Sequence, residues 1–209
     1  MRTLEEEVIN AYSHLISAIV SLVVCFIYLD RIESDVHKLQ FAILSLASSW
    51  TFFSSFLYHN TVEQKKKARN LVLDRVGIYL MITATGLSFS LGSMEDFNKI
   101  LFCSCILVSS SLLIIKYCAK KNENELFSII SYLVFAVVCI LPITGAFNKN
   151  FLVNDSTLEI LTLSLTCYAA GVIFYTIDSK KWAHTIWHLL VVIAYSLCLA
   201  TLLTTFTVV

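Results

Sequence analysis

Long stretches without a single Asp, Glu, Lys or Arg alternate along this chain with short charged segments. Seven such stretches cover residues 8–29, 39–62, 76–94, 100–115, 126–148, 160–177 and 182–209, with lengths of 22, 24, 19, 16, 23, 18 and 28 residues. None alternates apolar and polar residues with a period of two over its length, which excludes membrane-barrel strands. A helix rises 1.5 Å per residue, so roughly 20 apolar residues cross a ~30 Å hydrocarbon core. The 16-residue stretch reaches across if Lys116 extends its ammonium outward along its own stem.

The pattern therefore predicts an all-α integral membrane bundle of seven transmembrane helices, near 8–29, 39–60, 74–94, 99–118, 126–147, 158–177 and 182–207. They would make up one membrane domain over residues 1–209. The stretches take up 150 residues and leave 59 for connections and ends, which leaves no room for a soluble domain. Pro142, with Gly145 after it, predicts a kink in the fifth helix and with it a lateral path for a lipid tail.

Composition narrows the class further. Only 14% of the residues are charged, against about 25% in a typical soluble domain. A mean hydropathy of +0.77 excludes a water-soluble globule and a disordered chain. A net charge of zero gives no basic excess for binding nucleic acid.

The distribution of the basic residues sets an orientation. Arg2, Lys65, Lys66, Lys67, Arg69, Arg75, Lys116, Lys120, Lys121, Lys180 and Lys181 fall on one face, and only Arg31, Lys38, Lys99 and Lys149 on the other. The positive-inside rule then predicts a cytoplasmic N-terminus and an external C-terminus in the plasma (inner) membrane. Glu5, Glu6 and Glu7 make the N-terminus acidic where a cleaved signal peptide needs positive charge. The seven cysteines, an odd number scattered along the spans, read as small buried apolar residues rather than a disulfide framework.

The candidate chemistry lies in the histidines. His37 falls in an outer loop and reads as surface. His14, His59, His184 and His188 all lie within about two turns of the cytoplasmic ends of their spans, at one depth. A strongly polar side chain in a span is costly, so such residues face the bundle interior and find partners. His184 and His188, at i and i+4, share a helical face in the spacing that lets two imidazoles hold one metal ion. Ser55 and His59 repeat that spacing on the second helix, and Asp74 stands where the third helix is expected to begin, after a short basic loop. Three His with a carboxylate and a hydroxyl nearby have the make-up of a catalytic zinc sphere with its fourth position open to water. The same residues would also serve as interhelical hydrogen-bond glue, at about 0.6 kcal/mol each. Trp50, Phe52, Phe53, Phe56 and Tyr58 read as bundle filling or lipid-facing aromatics.

The run Glu6-Glu7-Val-Ile-Asn10-Ala-Tyr-Ser13-His14 resembles the N-terminal signature of the haemolysin III family, a branch of the progestin and adipoQ receptor superfamily. Ser55-Phe-Leu-Tyr58-His59, Leu73-Asp74-Arg-Val-Gly-Ile78-Tyr79-Leu80, Gly171-Val-Ile-Phe174-Tyr175 and His184-Thr-Ile-Trp187-His188 continue the resemblance in order from the first span to the last. It implies seven helices with a cytoplasmic N-terminus and a Zn2+ ion near the cytoplasmic side, held by His59, His184 and His188. Asp74 would hold or activate the water on that ion, with Ser55 close by, and His14 would support the ligands or pack behind them.

Kinship to alkaline ceramidases implies zinc-dependent hydrolysis of a lipid amide, with a membrane lipid or acyl chain as ligand. Kinship to adiponectin receptors implies instead a receptor or membrane-homeostasis protein with a structural zinc. The family name implies membrane lysis, but no polar rings line these helices outside the histidine layer, as a pore would need. Some positions depart from the pattern: Arg75 where many members have His, Ser88 near a common Pro, and Tyr195, Ser196 and Cys198 where many carry a further His.

Overall fold

The computed structural model describes residues 2–94, 96–119, 125–141 and 155–206. They form seven α-helices: α1 (Leu4–Leu29), α2 (Asp35–His59), α3 (Gln64–Ser93), α4 (Asp96–Ala119), α5 (Glu125–Ile140), α6 (Asp155–Thr176) and α7 (Ala183–Phe206). There is no strand among the described residues. By length and composition, six of the helices can cross a membrane, and α5 contributes a shorter apolar stretch, Phe127–Ile140. The kink expected at Pro142 and Gly145 lies outside the described residues.

The helices begin where capping and charge allow, beyond the apolar stretches. Thr3 caps α1: its side chain accepts from the Glu6 amide, and the Glu6 carboxylate accepts from the Thr3 amide, a reciprocal capping box that starts the helix at Leu4. The basic segment after His59 is not a loop, because α3 starts at Gln64 and carries Lys65, Lys66 and Lys67 in its first turn. Lys and Arg are good helix formers, and their long stems let a helix continue past the apolar boundary. Asp74 therefore sits nearly three turns inside α3 rather than at its start. His37, expected in a loop, lies in the first turn of α2, where its amide bonds the Ser34 cap.

The faces of the helices are sorted in the reverse of a soluble protein. On α1, Ile16, Ile19, Val23 and Phe26 are exposed, whereas the inward residues are Asn10, Ala11, His14, Ala18, Ser21 and Cys25. Lipid is as apolar as leucine, so helices in a bilayer associate through small residues and interhelical hydrogen bonds rather than through a hydrophobic drive. The α1–α2 contact follows this rule: Ser21 Oγ donates to the Ser45 carbonyl and Ser49 Oγ to the Ala18 carbonyl, each at 2.9 Å. Between α2 and α3, Thr51 Oγ1 donates to the carbonyl of Gly77 at 2.8 Å. A Cβ on Gly77 would stand 3.1 Å from Thr51 Cα, so the close crossing needs glycine there. At the α6–α7 contact, Ser164 Oγ donates to the Ala194 carbonyl at 2.7 Å, and Gly171 makes room for the Trp187 ring.

The positions that depart from the family pattern are absorbed into this network. Ser88 and Gln40 exchange side chain to main chain bonds across α2 and α3. The Tyr195 hydroxyl lies 2.5 Å from Ser21 Oγ, tying α7 to α1.

Candidate metal centre

Three helix ends meet at the histidines. α2 ends on His59, the first turn of α7 carries His184 with His188 one turn later, and the start of α1 crosses beside both. His59, His184 and His188 are all buried, and each offers a ligand atom within 4.8 Å of the others'. Their ring centroids are 4.7 Å apart for His59 and His188, 4.7 Å for His184 and His188, and 5.4 Å for His59 and His184. These separations are in the range from which three imidazole nitrogens could share one ion.

The donor atoms fit such an ion. His59 Nε2 is buried without a hydrogen-bond partner, a state that costs free energy unless something occupies its lone pair. His184 Nε2 and His188 Nε2 face each other at 2.9 Å. Behind His59, the Glu7 carboxylate contacts Nδ1 at 2.6 Å, the carboxylate-to-histidine bond that orients metal-ligating imidazoles. Lys67 Nζ braces the other oxygen of Glu7 at 3.1 Å.

Asp74 and Ser55 adjoin the cluster from α3 and α2. Asp74 is in electrostatic reach of His59, Ser55, Arg75 and Arg2. Ser55 Oγ is buried and makes no hydrogen bond of acceptable geometry, although the Asp74 carboxyl is its neighbour. Arg75 is turned to a different set of groups, among them Tyr117, Tyr132 and Tyr175.

His14 packs its ring 4.0 Å from that of His188 and 5.0 Å from Phe52, and neither of its nitrogens has a partner. It adjoins the group of His59, His184 and His188 without belonging to it. Asn10, one turn earlier on the same face, is fully buried with both side-chain polar atoms unpaired.

The sequence reading missed Glu7 and four further residues. Arg2 Nη2 lies 2.8 Å from Asp178 Oδ2 and 3.0 Å from His184 Nδ1. Glu6 Oε1 accepts the Trp182 amide at 2.6 Å. Trp182 immediately precedes α7 with φ of 66°, a left-handed conformation that costs a bulky residue roughly 1–2 kcal/mol. The Glu6 bond pins the entry to α7 in that shape. The signal available was the spacing of Glu6, Asn10 and His14, which puts a carboxylate, an amide and an imidazole on one face of an apolar helix.

Next to the cluster, an apolar cavity of about 320 Å³ lies among α2, α3, α5, α6 and α7. Ile78, Met81, Leu133, Leu165, Val172 and Val191 are in its wall, together with Tyr175 and Trp187. The Tyr175 ring is 6.2 Å from that of His184, so at that end one residue of the cavity wall stands beside the histidine layer.

Apolar exteriors on helices of spanning length, with polar groups inside and histidines gathered at one end, define a multi-pass integral membrane protein whose histidines could hold a metal ion. The chain belongs to the haemolysin-III-related family, whose profile matches residues 2–199. It is 26% identical over 191 residues to a protein named Hemolysin-3 homolog from Bacillus subtilis (strain 168), a match covering 90% of this chain and 88% of that one. No solved structure matches it.

Proposed function

We propose that the protein is a zinc-dependent hydrolase of a lipid amide, with His59, His184 and His188 as ligands and the cavity beside them as the seat of an acyl chain. The observation that carries the reading is the convergence of the three imidazoles with Asp74 and Ser55 at the end of an apolar cavity. Three neutral nitrogen donors and no thiolate match zinc's usual catalytic ligand sets. Held there, the ion would supply Lewis acidity at an acyl carbonyl and a bound water of pKa lowered to about 7.

The chain's own residues would do the rest. Asp74 takes the proton of the attacking water and passes it to the leaving amine. Ser55, a buried hydroxyl beside Asp74, donates to the oxygen on which negative charge develops. The cavity wall removes the acyl tail from water and holds the carbonyl at the histidine layer; about 320 Å³ is at the lower end of the range for ligand pockets. The test is fatty-acid release from long-chain N-acyl lipids in liposomes, which should require zinc and stop on chelation. If no amide or ester lipid is cleaved while chelation lowers the melting temperature steeply, the ion is structural. A receptor or membrane-homeostasis role then takes the place of hydrolysis. The observation favouring that second reading is that the ligands join α2 to α7, so an ion would tie distant helices together.

The same proposal includes the topology: seven spans, N-terminus in the cytoplasm, C-terminus outside and the histidine layer near the inner face. The asymmetry of basic residues supports it. A reporter fused at Met1 should be cytoplasmic and one fused after Val209 external. The reverse pair of results would move the site to the outer face.

A further inference from the structure

The hydrogen bonds around the three imidazoles fix where their protons are. An arginine has donors only, so the 3.0 Å contact from Arg2 Nη2 makes His184 Nδ1 an acceptor. The proton of neutral His184 is therefore on Nε2, and it is Nε2 that donates across the 2.9 Å contact to His188 Nε2. His188 then carries its proton on Nδ1 and keeps a lone pair on Nε2. Neutral His59 is in the same state: its Nδ1–H donates to Glu7 at 2.6 Å, and Nε2 is left bare. Two of the three rings present a lone pair to the centre, and His184 presents a hydrogen.

Resting on the reading of the three histidines as a metal site, we infer that Arg2, Asp178 and Glu7 are positioning residues that set its affinity, with Arg2 opposing the two carboxylates. For His184 to ligate through Nε2, its proton must leave that nitrogen and one must be gained at Nδ1. The ring stays neutral throughout. Nδ1–H then needs an acceptor, and Asp178 Oδ2 waits 3.5 Å away, already paired with Arg2 at 2.8 Å. Arg2 has only to give up the imidazole while keeping the carboxylate. Glu7 performs for His59 the service that Asp178 would perform for His184. Because Arg2 precedes α1 and Asp178 lies in the connection between α6 and α7, occupancy of the site is linked to the seating of the chain's first residues.

The experiment measures zinc affinity by chelator competition for the full chain in detergent, with the absorption spectrum of the cobalt-loaded protein and the melting temperature after chelation. Glu7→Gln and Asp178→Asn should each weaken zinc binding about tenfold to a hundredfold and shift the cobalt bands, with little change in the chelated melting temperature. Arg2→Met, which keeps the stem and removes the donor, should bind zinc more tightly than the unaltered protein. Arg2→Met lies outside the helices, so it remains informative if a carboxylate variant fails to fold. Loss of affinity in Arg2→Met as large as in Asp178→Asn would make Arg2 a brace and overturn the inference. Unchanged affinity in all three variants, with zinc lost in His188→Ala, would also overturn it and leave the metal reading standing. Zinc retained in His188→Ala would overturn both.

Discussion

Replacing His188 by alanine is expected to take the purified protein from about one zinc per chain to a small fraction of that. His188 is 3% exposed, and its Nε2 faces the other ligands. Structural zinc sites of four ligands bind with about 10–16 kcal/mol, so each ligand carries roughly 3 kcal/mol, a factor of more than a hundred in dissociation constant. If the protein supplies three ligands, the loss of one leaves a poor site. Metal content by mass spectrometry after desalting checks this, with His188→Gln beside it to keep the volume filled. His37→Ala, in the first turn of α2 and remote from the cluster in sequence and position, should keep its metal. Full retention of zinc in both His188 variants would sink the assignment.

Asp74→Asn should have the opposite signature, with metal retained and turnover lost. The three imidazoles remain, so zinc content should stay near that of the unaltered protein. An amide cannot take the proton of the attacking water, and a positioned general base is worth about a hundredfold to ten-thousandfold in rate. Fatty-acid release from a long-chain N-acyl lipid should therefore fall by at least about a hundredfold. Zinc content and release measured on one preparation separate the two outcomes. Release close to that of the unaltered protein would exclude Asp74 as the proton acceptor and point to another group beside the cluster.

Much of this arrangement was legible in the sequence for a physical reason. Hydrocarbon demands long uncharged helices, so the stretches between charges mark them. A costly polar residue inside such a stretch draws notice, and His184 and His188 declare a common face by spacing alone. Helix ends were less legible, because the capping box at Thr3 and the lysines of α3 extend helices past the apolar boundary.

The surroundings of the histidines were hidden for another reason. Glu7 meets His59 across 52 positions, and Arg2 meets His184 across 182. No periodicity records contacts of that range. In the linear chain, Arg2 and Glu7 look like the ordinary charges that precede a membrane span, and Asp178 like an ordinary turn residue.

The ligands' places along the chain also govern when the centre comes into being. The first of them arrives at residue 59, the other two at 184 and 188, and the residues that back them stand at 2, 7 and 178. During synthesis the ribosome must deliver α7 before even two imidazoles can share an ion. A nascent chain that stops after α6 holds His59 alone of the three, with Glu7 already at its Nδ1. The centre is therefore complete only when α7 packs against α1 and α2, and Glu7 stands beside His59 before the other two imidazoles arrive.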